Sequence, residues 1–132
     1  MRAADTNVLI RFLTADDPAQ FAVARRFVAE NEVFVPVTVL LEAEWVLRRT
    51  YGFGAKRIAA ELRQLSALPS VILEDSEGVA RALDMVELGL DFADALHLTR
   101  SNDCADFATF DATMARFAGD VSPPITLLTS DR

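Results

Sequence analysis

Short β-type runs alternating with longer helical patterns constrain this chain more than any other feature. Ala3–Asp5, Glu32–Val35, Ser70–Leu73, Phe107–Phe110 and Ile125–Leu128 read as strands. Between them, helical periodicity runs over Val8–Leu13, Ala19–Ala29, Thr38–Thr50, Ala55–Leu68, Ser76–Leu88, Phe92–Ser101 and Ala112–Phe117. Strands separated by helices pair in parallel through crossover helices. The expected fold is therefore α/β: a single three-layer α/β/α domain over residues 1–132, with a central parallel sheet of short strands. A chain of 132 residues, 52% hydrophobic and with nine Phe, can build such a core without staples.

Composition excludes several classes. The single Cys104 allows no intramolecular disulfide. No apolar run approaches the roughly 18 residues of a membrane span. The longest, Val33 to Leu41, is broken by Pro36 and Thr38 and stopped by Glu42. Asp5 and Arg11 leave no apolar region for a secretory leader. The expected location is the cytoplasm, with no membrane partner. The net charge of −7 argues against a nucleic-acid partner in general terms, but it is unevenly spread. Residues 1–63 carry nine Lys/Arg against eight Asp/Glu, and residues 64–132 carry four against twelve. Arg25–Arg26, Arg48–Arg49, Lys56–Arg57 and Arg63 form local basic clusters, most simply a solvated helix surface.

Four acids interrupt hydrophobic segments: Asp5, Glu42, Asp94 and Asp111. Burying even a polar group without a partner costs roughly 2–7 kcal/mol, and a charge costs more. Asp5 and Asp111 each stand at a strand end before a helix, where open parallel sheets bind ligands. Each also suits a plain helix cap, as does Asn7. Glu42 and Glu44 point to nearly opposite sides of one helix, at about 100° per residue. Glu44 has Arg48 four residues on, the order of a solvent-facing pair. Glu42 has Thr38, Val39, Trp45 and Val46 as neighbours, which places it beside a buried face. Asp91 reads as the cap of the helix that carries Asp94 in its first turn. His97 reads as a core histidine. Thr38 is read as a helix N-cap, and Thr38 and Thr109 stand where a hydroxyl can orient a carboxylate.

Taken in order, Asp5-Thr6-Asn7, Thr38…Glu42, Asp91-Phe-Ala-Asp94-Ala and Thr109-Phe-Asp111 resemble the PIN domain, over essentially the whole chain. More narrowly, they resemble the VapC-type toxins of bacterial type II toxin–antitoxin pairs. The resemblance implies a parallel-stranded α/β/α domain and an endoribonuclease dependent on Mg²⁺ or Mn²⁺. It also implies a homodimer and a cognate antitoxin that blocks the site. It assigns Asp5, Glu42, Asp94 and Asp111 to the acidic, metal-binding site, with Asn7, Thr109 and Thr38 in support. The expected chemistry is metal-assisted phosphodiester hydrolysis, with Glu42 positioning or deprotonating the attacking water.

Two other readings compete. A haloacid-dehalogenase-like phosphatase also begins with an Asp after its first strand, but it would want a second Asp where Asn7 stands. A non-catalytic PIN-like binding module would keep the fold and bind a partner without cleaving RNA.

Overall fold

The computed structural model describes residues 1–117 and 119–130. Met1–Ser76 forms one compact unit and Glu77–Arg132 another.

In the first unit the order is β1 (Arg2–Ala3), α1 (Thr6–Thr14), α2 (Pro18–Glu30), β2 (Val33–Val35), α3 (Val37–Arg49), α4 (Ala55–Ala67) and β3 (Val71–Leu73). The strands lie in the order β1-β2-β3, all parallel, with Arg2 opposite Val33 and Val35 opposite Leu73. Parallel neighbours need a crossover, and each connection here carries two helices. Val33 and Val35 of the middle strand are buried. Helices α3 and α4 close the core around them with Leu40, Leu47, Ile58, Leu62 and Leu65. Each such side chain contributes roughly 1.5–3 kcal/mol on burial.

The second unit holds α5 (Ser76–Glu87, starting at the boundary residue), α6 (Phe92–Thr99), β4 (Phe107–Thr109), α7 (Ala112–Ala115) and β5 (Ile125–Leu127). β4 and β5 are parallel, Phe107 opposite Ile125. Val79, Ala82, Leu83 and Val86 form the buried stripe of α5. Gly89 ends that helix at φ +110°, a conformation only glycine takes without strain. Among the described residues no helix is long and apolar enough to cross a membrane.

The parallel strands and intervening helices are those read from the sequence, with ends displaced by one or two residues. Helix α3 differs in more than its ends. It starts at Val37, with Pro36 at the N-cap position and no side-chain cap bond, so Thr38 is not the cap. The free N–H of Val37 instead donates to Glu74 Oε1 at 2.8 Å. The buried face of α3 is Val37, Leu40, Ala43, Glu44 and Leu47. Glu44 is thus buried and Glu42 exposed, the reverse of the sequence expectation. Trp45, expected in the core, is 51% exposed. The Glu44–Arg48 pair does form, Oε2 to Nε at 2.9 Å, but Glu44 lies inside and Arg48 reaches in from the surface.

This arrangement makes Arg48 a support for a buried carboxylate. Arg48→Ala should lower stability by about 1–3 kcal/mol, the cost of leaving a buried charged acceptor poorly paired. Glu42→Gln should change it by no more than about 0.5 kcal/mol. Urea unfolding of the two variants beside wild type measures both.

Candidate active site

In the first unit the carboxylate of Asp5 is fixed by helix geometry. The first N–H groups of a helix have no partner within it. Asp5 caps α1, its Oδ1 accepting from the Val8 N–H at 3.3 Å. Asp5 and Asn7 are both exposed. Thr6 lies between them and donates its hydroxyl to Glu42 Oε1. Glu42 is therefore held one residue away from Asp5, from a helix 36 positions further along the chain. Sequence reasoning passed over Thr6, although the motif Asp5-Thr6-Asn7 contained it. Thr38, expected to orient a carboxylate, is exposed on the first turn of α3.

In the second unit the same local design recurs. Asp111 follows β4 and caps α7, its Oδ1 accepting from the N–H groups of Thr113 at 2.9 Å and Met114 at 3.2 Å. Thr109 does support Asp111, but through the backbone: its Oγ1 accepts from the Asp111 N–H at 3.0 Å. Asp91 is the cap of α6, its Oδ2 accepting from the Asp94 N–H at 3.2 Å. That leaves the Asp94 carboxylate outside the cap. His97, one turn beyond Asp94, is exposed rather than in the core. Its ring stacks on Phe107, with centroids 6.4 Å apart and 11° between planes. That contact ties α6, which carries Asp94, to β4, which leads into Asp111.

Asp94 is the group whose charge is disfavoured. Partial burial raises its pKa above the ordinary carboxylate value, the carboxylates of Asp91 and Asp111 push the same way, and His97 pulls it partly back. Each unit thus associates two of the four acids. Asp5 and Glu42 meet through Thr6, and Asp94 and Asp111 through their charges.

The donor set fits a hard divalent cation by its chemistry. Every candidate is a carboxylate, the ligand such ions prefer, and a cation would remove the repulsion at Asp94. Asp5 and Asp111 each cap through Oδ1 and present a second oxygen beyond the cap. Among the described residues, no three His, Cys, Asp or Glu side chains are gathered as a ready-made metal cage.

Parallel strands followed by Asp-capped helices define an α/β fold that sets carboxylates at the start of its helices. The sequence profile of the PIN domain matches residues 3–120, and the chain belongs to that family, whose members are typically nucleases. The match runs through all four acids and both units. No curated protein matches the chain.

The raised pKa of Asp94 has a signed consequence. Its folded state disfavours ionisation, so the penalty is absent at low pH and develops as pH rises above about 4. Asp94→Asn should therefore be slightly more thermostable than wild type at pH 7. The difference should close below pH about 4. Thermal scans of both proteins across that range test it.

Proposed function

We propose that this PIN-domain protein is a metal-dependent endoribonuclease, the toxin of a type II toxin–antitoxin pair acting in the cytoplasm. In this reading Asp5, Glu42, Asp94 and Asp111 are its working carboxylates. The observation that carries the reading is Asp94. A carboxylate kept where burial and two neighbouring acids oppose its charge lowers stability, and a cation-dependent reaction gives a reason to keep it. Family membership adds a nuclease fold and favours this over the haloacid-dehalogenase reading.

A bound Mg²⁺, or Mn²⁺ in its place, would lower the pKa of a coordinated water and stabilise charge developing on the phosphate. Asp5, Asp94 and Asp111 would hold the ion, directly or through its waters, with Glu42 a further oxygen ligand. Asp5 and Asp111 are suited to this by rigidity, since their cap bonds fix each carboxylate before anything binds. Glu42 is suited to orienting a water or taking its proton. It is exposed, its Oε1 is held by Thr6, and its second oxygen can face substrate. Asn7, next to Thr6 in the chain and exposed, would serve as a polar support. The toxin reading brings a homodimer and a cognate antitoxin with it.

The test is cleavage of cellular RNA by purified wild type, Asp5→Asn and Asp94→Asn, with Mg²⁺ and with EDTA. Wild type should cut only with the ion, and each variant should lose about 100-fold or more in rate, the scale of a lost transition-state contact. Induced expression should arrest growth for wild type alone. Equal cutting by wild type and Asp5→Asn, or equal toxicity, would sink the proposal. A folded wild type that binds RNA or a protein partner and never cleaves would establish the non-catalytic alternative.

A further inference from the structure

Trp45 is the only tryptophan in the chain and lies 51% exposed on α3. Large aromatic rings contribute most when buried, so half a tryptophan left in water is stabilisation forgone. Its neighbours on the same face are specific. Glu42 is three residues earlier and Arg49 four later, both exposed. Offsets of three and four residues put side chains on one helix face. The Arg49 guanidinium lies over the Trp45 ring, 5.7 Å from its centroid. Arg48, the adjacent cation in sequence, turns the other way to Glu44. The motif repeats just beyond, where the Arg57 guanidinium sits 3.5 Å from the Phe53 ring centroid.

From this arrangement we infer that Trp45 and Arg49 form a stacking platform for a base of single-stranded RNA, one helical turn from Glu42. The inference rests on the nuclease reading and names where its substrate lies. An aromatic face beside a guanidinium matches a nucleotide in both parts: the ring takes a base and the cation takes the adjoining phosphate. Helical side chains in general lean toward the helix N-terminus, which for Trp45 is the direction of the turn that carries Glu42. A second protein seated permanently on Trp45 would cover that turn, whereas a strand passing over it would be led to Glu42. The platform also resolves a difficulty of charge. A protein of net charge −7 can hold RNA through stacking and a few local cations, with little general attraction.

A sole tryptophan makes the test direct. The full chain is titrated with short oligoadenylate and oligouridylate RNA in EDTA, following tryptophan fluorescence, and cleavage is measured separately with Mg²⁺. Single strands should quench the fluorescence, and an adenine–uracil duplex should not. Variants without Trp45 are compared with wild type by the fluorescence anisotropy of end-labelled strands. There, Trp45→Ala should weaken binding about five- to 150-fold, the range for one lost base stack, and it should raise KM far more than it lowers kcat. Trp45→Phe should recover most of that loss, which a merely structural role would not predict. Arg49→Gln should weaken binding and reduce its salt slope by about one phosphate. Mg²⁺-dependent cleavage with no quenching and an unchanged KM in Trp45→Ala would overturn the platform and leave the nuclease standing. Quenching by single strands together with weakened strand binding in Trp45→Ala, and no cleavage under any ion, would keep the platform and overturn the nuclease. Fluorescence that follows protein concentration, with Trp45→Ala altering oligomer size but not RNA affinity, would make this face a protein contact and overturn the inference.

Discussion

A helix begins with N–H groups that have no partner inside it, and this chain answers that need repeatedly with aspartate. Asp5, Asp17, Asp91 and Asp111 all cap helices with their side chains. Parallel strands need helices to connect them, and helices need caps, so a carboxylate arrives where a strand gives way to a helix. In open parallel sheets that is also where ligands bind. One residue can therefore serve both ends: Oδ1 holds the helix and Oδ2 remains for chemistry. Asp17 marks the limit of this logic. It caps α2 as Asp5 caps α1, yet it follows a helix rather than a strand, so capping alone does not make a candidate.

Most of the architecture was legible because periodicity reports which residues share a face. Two Val flanking Phe34 mark β2, and Ile58, Leu62 and Leu65 mark one buried side of α4. Element ends were less legible, since a cap sets them and several residues near each end could act as one. At α1 the choice lay between Asp5 and Asn7. The structure selects Asp5 and moves the helix start back to Thr6. At α3 the capping acceptor is Glu74, 37 positions away from the N–H it serves. No local reading of Thr38 could have found it. The Thr6–Glu42 bond was hidden for the same reason, because two segments meet there only after folding.

The reversed faces of α3 carry a more general lesson about ion pairs. An i,i+4 Glu–Arg pair in sequence suggests the surface, but the long arginine stem lets one partner be buried while the other stays wet. Here the Glu44 side chain is 8% exposed and that of Arg48 is 40% exposed. Trp45, grouped by its offset from Glu42 with Val39 and Val46 as an apolar side, falls outside the stripe Val37, Leu40, Ala43 and Leu47. Once that stripe sets the face, Glu42 and Trp45 must both turn outward. The oddity on α3 is then not a buried acid but an exposed aromatic ring beside an acid that Thr6 holds in place.

That exchange changes what supports function in this chain. Exposed carboxylates incur little desolvation, so Asp5, Glu42 and Asp111 are no longer energetic anomalies, and two of them stabilise helices outright. Asp94 alone keeps a penalty, and its cause is specific: partial burial together with the charges of Asp91 and Asp111. Asp91 satisfies the helix start, so α6 has no structural need for a second acid in its first turn. A residue that the fold does not require, and whose charge it opposes, lowers stability without a structural return. Within its own unit, Asp94 has Asp111 as a neighbouring charge, and Asp111 is held by the helix it caps.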